Sequence, residues 1–290
     1  MPDAIVGRNH RHGEFGFLQR DLAGQRLESA PFAIALPAAA RPLPAAASRG
    51  TLHVLAVGTD TYIDPQVPPL ALARSDARTF FEAARATAGH YHSAVTGQVL
   101  LDEVELKSIL AERIARIARE ASADDTIALF VAGHGVRDDK GRFHLATAKT
   151  TMADLAGTSI AFDEIAAALG GTKARVAVFL DACHAGAAGG LASNDEVAKA
   201  FLDRTSAITV IAAAKGRQLS EEHTQLAGGV FTRVLAEALA DRARLDANGN
   251  GAIELSELYG RLKQRVNELT DGRQTPWIAR NNMVGEIPLF

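Results

Sequence analysis

Five consecutive apolar residues, Val176-Ala-Val-Phe-Leu180, run into a turn of small residues, Asp181-Ala-Cys-His-Ala-Gly186, that carries the only cysteine of the chain. A strand buried on both faces reads as such an uninterrupted run, because no position along it faces water. Strands of this kind belong to open α/β sheets, whose chemistry collects at the carboxyl ends of the strands. Cys183 therefore stands where an α/β protein places its active site.

A second strand end of the same construction lies upstream. In Thr126-Ile-Ala-Leu-Phe-Val-Ala-Gly-His-Gly135 a buried run stops at His134, held between two glycines. A lone cysteine with a histidine about 50 residues upstream is the spacing of a nucleophile and base that meet because their strands are neighbours. The reading of Cys183 as a small buried hydrophobe and His134 as a turn residue explains either one alone, but not the matched pair.

The rest of the chain alternates strand and helix. Leu52–Gly58 reads as the first buried strand, 70–87 as a helix and Ala94–Leu101 as the next strand. Asp102 with Glu105 resembles a capping box for a helix whose apolar face is Leu106, Ile109, Leu110, Ile114 and Ile117. Asp138–Arg142 reads as a hairpin tip with 143–147 returning, and Asp138 and Asp139 as solvated tip residues. Phe162–Leu169 and Gly229–Leu239 read as helices and Ala207–Ala214 as a strand. Short links between them imply a three-layer α/β fold, a mostly parallel central sheet with helices on both faces.

Residues 1–48 differ. A His/Arg/Gly-rich start and a Pro/Ala run, Pro31–Ala47, predict an extended N-terminal arm before a single domain over 49–290. A net charge of -3 gives no footprint for nucleic acid, and one cysteine excludes an internal disulfide framework. No apolar stretch is long enough for a membrane span or for the core of a secretion signal. A soluble, cytoplasmic protein is expected. No Gly-x-Gly-x-x-Gly turn follows the first strand and no phosphate-binding Gly-Lys-Ser/Thr is present, which removes the nucleotide-binding reading.

A thiol attacks a carbonyl as thiolate, so Cys183 needs a base, and the same group must protonate the leaving amine. His134 is the candidate. The amides of Gly135 and Cys183 are candidates for donating to the developing oxyanion.

His134-Gly135 and Asp181-Ala-Cys-His-Ala-Gly186 resemble the histidine and cysteine motifs of the caspase-like peptidases, in particular the metacaspase and bacterial orthocaspase branch. The likeness runs from about Leu52 to Ile278 and includes Ser75-Asp76-Ala77, Ala212-Ala-Ala214 and Gly229-Val-Phe-Thr232. It implies a caspase-hemoglobinase fold with Cys183 as nucleophile, His134 as general base and acid, and Gly135 as an oxyanion donor. It also implies an acidic P1 pocket, built from Asp76 and Asp181, that selects Arg or Lys. Where the family often has serine two residues before the histidine, this chain has Ala132, and looser selectivity follows. His184 matches the motif but takes no role as base.

The resemblance further implies a monomer acting on protein substrates, in a regulated-death or anti-phage cascade. Its alternative is a caspase-like pseudoprotease that binds partners through the same groove. The span 185–206, rich in small residues at its start, is expected to be mobile, and activating cleavage by the enzyme itself or an upstream protease is expected there, at Lys199 or Arg204, or in the arm at Arg41 or Arg49. Asp246-Ala-Asn-Gly-Asn-Gly-Ala-Ile-Glu-Leu-Ser-Glu257 fits the EF-hand pattern. No cofactor is required by the chemistry. Calcium, on Asp246, Asn248, Asn250 and Glu257, is set against a turn that opens the helix 254–269.

Overall fold

The computed structural model describes residues 5–8, 14–20, 26–28, 32–33, 50–87, 89–102, 106–183, 194–202, 208–214, 222–223, 228–280 and 286–290. The chain divides into two compact units, 1–43 and 44–290. In the first, β1 (Ile5–Arg8), β2 (Glu14–Arg20), β3 (Arg26–Glu28) and β4 (Phe32–Ala33) pair antiparallel, with β2 bonded to each of the others. Residues 5–33 thus hold short paired strands where composition predicts extended chain. The alternation of Phe15 and Phe17 in β2 is the strand signal that composition obscured. Of the Pro/Ala run only Phe32–Ala33, in β4, is among the described residues.

The second unit opens with β5 (Thr51–Gly58), α1 (Ala73–Arg85), β6 (Ala94–Leu101), α2 (Leu106–Glu120), β7 (Thr126–Arg137) and β8 (Phe143–Leu145). A 3₁₀ turn, Met152–Asp154, leads through α3 (Leu155–Thr158) and β9 (Ile160–Ala161) to α4 (Phe162–Leu169) and β10 (Arg175–Cys183). Then come α5 (Asn194–Leu202), β11 (Ile208–Ala212), β12 (Glu222–His223), β13 (Gly228–Gly229) and α6 (Val230–Ala240). The chain ends with α7 (Arg242–Leu245), α8 (Leu255–Leu269) and β14 (Trp277–Arg280).

The main path of the sheet runs β14-β11-β10-β7-β5-β6. Strands β6, β5, β7, β10 and β11 run parallel to one another, as the apolar runs predict. Two antiparallel additions join them: β8, the returning strand predicted after the 138–142 tip, with β9 beside it at the carboxyl end of β7, and β14 on the edge beside β11, which the sequence pattern did not announce.

Alternation along the central strands sorts the core into two layers. Val54, Ala56, Ala128, Phe130, Ala177 and Phe179 pack with α1, α6 and α8. Leu55, Val57, Leu129, Val131, Val178 and Leu180 pack with α2, α4 and α5. In α1 the buried residues Ala73, Ala77, Phe80 and Ala84 form one stripe at helical spacing. Phe80 stacks on Phe130 at 4.7 Å between centroids and lies 5.0 Å from Phe179. Each such ring, buried whole, stabilises the fold by about 1.5–3 kcal/mol. The small residues of α1 let it sit close to the strand: a Cβ on Gly58 would strike the carbonyl of Ala73.

Three local features go beyond the sequence pattern. The span 185–206 is interrupted by α5, where Val197, Ala198 and Phe201 are buried and Phe201 meets Phe162 edge-on at 6.0 Å. The apolar residues of 197–201 give this segment something to bury; 184–193 and 203–207, with His184 and Arg204, lie outside the described residues. The Asp102–Glu105 capping box falls on 103–105, outside the described residues; Asp102 Oδ1 also accepts from the backbone N–H of Asp60 at 2.7 Å and Thr61 at 3.2 Å. Finally, the last residues are core: Ile287, Leu289 and Phe290 are buried, and Ile253 N–H donates to the Phe290 carbonyl at 2.6 Å. Among the described residues no helix is long and apolar enough to cross a membrane.

Candidate active site

The two strand ends singled out in the sequence are neighbours in the sheet. Strands β7 and β10 are parallel and paired throughout, and at their carboxyl ends His134 is in register with Cys183 and Ala132 with Asp181. Adjacent strands lie about 4.8 Å apart, so the pairing sets the backbones of the two residues side by side. Counting by twos from Phe130 and Phe179 places His134 and Asp181 on the sheet face covered by α1 and α6. Gly135 follows on β7, opposite Leu145 of β8.

His134 is 2% exposed and held from three sides. Its Nε2 lies 2.9 Å from the carbonyl oxygen of Pro68. A carbonyl only accepts, so Nε2 carries the hydrogen, and the neutral ring keeps its lone pair on Nδ1. The His134 N–H donates to the Tyr62 hydroxyl at 3.1 Å, and that hydroxyl donates onward to the Thr59 carbonyl at 2.8 Å. The His134 carbonyl accepts from Ala146 N–H at 2.9 Å, which ties β7 to the hairpin strand. The Tyr62 and His134 rings lie 5.2 Å apart.

The loop that supplies Tyr62 and Pro68 follows β5 and is itself pinned. Ile63 N–H donates to the Ala148 carbonyl at 3.0 Å, and Asp64 accepts from Met152 N–H at 2.7 Å and Gln66 N–H at 2.9 Å. Those backbone donors hold the Asp64 carboxyl below its ordinary range. At the loop's start burial pushes the Asp60 carboxyl up, against hydrogen bonding from Arg74. Asp60, Arg74, Ser75 and Arg78 line an open polar cleft of about 350 Å³ along α1.

Asp76 and Asp181 come from α1 and β10 and meet at the start of α6. They are 5% and 4% exposed. Gly229 N–H donates to both Asp76 oxygens, at 3.0 and 3.2 Å, and the Thr232 hydroxyl donates to Asp181 Oδ2 at 2.8 Å. A Cβ placed on Gly229 would lie 2.9 Å from Asp76 Oδ2 and 3.1 Å from Asp181 Oδ2, so the two carboxylates border one small space. A larger cleft of about 430 Å³, lined by Lys107, Ile114, Ile160 and Ile165, belongs to the other face of the sheet and contains none of these residues.

Tyr62, Pro68, Gly229 and Thr232 are the residues that sequence reading left without a role. Tyr62 and Pro68 stood in a recognised loop after the first strand, and Gly229 and Thr232 in a stretch that matched the family. Neither position announced a partner.

The 246–257 loop lies outside this constellation. Asp246 accepts from Asn250 N–H at 3.1 Å and Gly251 N–H at 2.8 Å; Glu257 accepts from Ala247 N–H at 2.8 Å and Glu254 N–H at 3.0 Å. The amide nitrogens of Asn248 and Asn250 donate to Glu254 at 2.8 and 3.0 Å, while their oxygens accept backbone N–H groups. In this arrangement the amide nitrogens of Asn248 and Asn250 face Glu254. It serves as a capping box opening α8. Among the described residues no group of three or more His, Cys, Asp or Glu is placed to hold a metal.

Comparison with curated protein sequences finds no match. Among solved structures, protein GSU0716 from Geobacter sulfurreducens is similar in fold, with a TM-score of 0.55 at 19% identity over 81% of this chain and 95% of that one. The Drosophila initiator caspase Dronc is similar with a TM-score of 0.51 at 10% identity, over 79% of each chain. The family model of the caspase domain, peptidase family C14, matches residues 53–287, and the chain belongs to that family.

Proposed function

We propose that the chain is a cysteine endopeptidase cutting proteins on the carboxyl side of Arg or Lys, with Cys183 as nucleophile and His134 as base and acid. The observation that carries this reading is the convergence of Asp76 and Asp181 on one small space, on the sheet face that also carries His134, the register partner of Cys183. Two carboxylates in a confined site favour guanidinium, which offers parallel hydrogen bonds, and ammonium after it.

In the chemistry that follows, Nδ1 of His134 takes the thiol proton and the sulfur attacks the scissile carbonyl carbon. The amides of Gly135 and Cys183 steady the oxyanion. The C–N bond then breaks as His134 returns the proton to the leaving amine. Water, losing its proton to His134, then adds to the thioester carbon, and the C–S bond breaks to free the acid and return the Cys183 sulfur.

Assignment to the metacaspase branch, action as a monomer and a setting in a cytoplasmic death or defence cascade rest on motif resemblance. Lys199, exposed on α5, is the activation site of choice within the described residues. Matched fluorogenic peptides ending in Arg, Lys or Asp, given to the native chain and to Cys183→Ala, test the proposal. Arg and Lys cleavage that disappears in the variant is expected. Cleavage after Asp alone removes the acid-pair reading. A chain silent toward all three, before and after nicking by limiting trypsin, is a binding scaffold and no peptidase.

A further inference from the structure

We infer that the amino end of α6 forms the third wall of the acidic pocket, and that Thr232 is a specificity-determining residue there, aligning Asp181 to receive a basic side chain. This rests on reading Asp76 and Asp181 as the P1 pocket.

The two aspartates sit on different elements, one on the first turns of α1 and the other near the end of β10. What they share is the start of α6. Gly229 caps that helix, and its N–H spans both oxygens of Asp76. Thr232, three residues on and 0% exposed, spends its hydroxyl on Asp181 Oδ2 at 2.8 Å. A buried threonine inside a helix commonly turns its hydroxyl back to a carbonyl of the preceding turn. Here it reaches across to another element.

Both donors are neutral, so they orient the carboxylates without cancelling their charge, and the positive end of the helix dipole favours that charge. Orientation matters differently for the two candidate guests. The planar fork of arginine needs carboxylate oxygens in fixed directions, whereas the ammonium of lysine rotates to suit. Thr232 therefore bears on Arg over Lys more than on basic over neutral.

Gly229 contributes space. Its φ of -62° and ψ of 140° suit any residue, so alanine brings no backbone strain there. Its methyl group would lie 2.9 Å from Asp76 Oδ2 and 3.1 Å from Asp181 Oδ2, where the guest is to bind.

The test uses the full chain and peptides ending in Arg or Lys. Losing one hydrogen bond to a charged group, Thr232→Val should raise KM for the Arg peptide about tenfold, leave kcat within about twofold and lower the Arg-to-Lys ratio, while Thr232→Ser stays near native. Gly229→Ala should raise KM for both peptides, and it carries the test if Thr232→Val does not fold. Unchanged KM and ratio in a folded Thr232→Val, or an equal fall in kcat for both peptides that Thr232→Ser does not rescue, overturns the inference and leaves the peptidase reading standing. A native chain that cuts neither peptide overturns both.

Discussion

The imidazole of His134 donates from Nε2 to the backbone carbonyl of Pro68 over 2.9 Å. The partner is main chain, so the bond survives changes of the side chain that supplies it. Pro68→Ala should keep kcat/KM within about threefold of native, as expected of a half-buried loop position. His134→Ala removes the proposed base and should lower kcat by about 10²–10⁴. The rate of Cys183 alkylation by iodoacetamide at neutral pH should fall with it, since the thiolate loses its partner. Peptide hydrolysis and alkylation followed by intact mass check both statements, and alkylation indifferent to His134 breaks the dyad.

Tyr62 gives the same loop a second grip on the strand end. Its hydroxyl accepts from His134 N–H and donates to the Thr59 carbonyl, so Tyr62→Phe strands one donor and one acceptor. The ring remains beside His134, and the fold should lose about 1–2 kcal/mol. If the hydroxyl holds the base in register, kcat falls several-fold while KM for the same peptide stays near native. Denaturant titration and steady-state kinetics separate the two effects. A variant that loses stability at native kcat assigns Tyr62 to the fold alone.

The parts of this molecule that were legible in the sequence are those where local pattern and tertiary environment coincide. Phe130 and Phe179 stand inside uninterrupted apolar runs, and those runs are the two central strands that bring His134 beside Cys183. The α2 stripe of Leu106, Leu110 and Ile114 is buried as its spacing predicts. What stayed hidden depends on partners far along the chain. Thr232 lies 51 residues from Asp181, and nothing in its neighbourhood marks its hydroxyl as spoken for. Pro68 acts through a carbonyl that every residue possesses. The closing segment 286–290 is too short to show a period, yet Phe290 is buried because the Ile253 backbone offers it a place to pair.

Asp138, expected to be a solvated tip residue, is instead the anchor of the β7–β8 hairpin. It accepts from Arg142 N–H at 2.7 Å and Lys140 N–H at 3.0 Å, and its Oδ2 lies 3.3 Å from Nε2 of buried His144. Burial alone would raise its carboxyl, but these hydrogen bonds outweigh it and hold the group below its ordinary 3.8. A depressed carboxyl contributes stability that is present above the unfolded value and lost as pH falls through the folded one. Asp138→Asn should therefore cost about 1–2 kcal/mol at pH 7, and the gap from native should close as the pH drops below 3.8. Urea unfolding at stepped pH measures this; a gap that persists in acid assigns the loss to packing.

Glu257 gathers the 246–257 turn onto the start of α8. Its two oxygens accept from Ala247 and Glu254 N–H groups, and Asn248 N–H approaches one of them at 3.4 Å. Nearby Glu254 is buried, which pushes its carboxyl up, and the charge of Glu257 adds to that. A raised carboxyl loses stability for the fold as pH rises through its folded value, so the loop should be firmer in mild acid than at neutrality. Glu257→Gln keeps one acceptor oxygen, relieves that repulsion and should change stability by less than about 1 kcal/mol, whereas Glu257→Ala strands the turn and the helix cap together and should cost about 1–2 kcal/mol. Because the loop's oxygens already serve its own N–H groups, millimolar calcium should leave the thermal midpoint of the native chain where chelator leaves it. A calcium-dependent rise that Glu257→Ala abolishes would mean the amides of Asn248 and Asn250 turn over to present oxygen, and the turn is then a cation site after all.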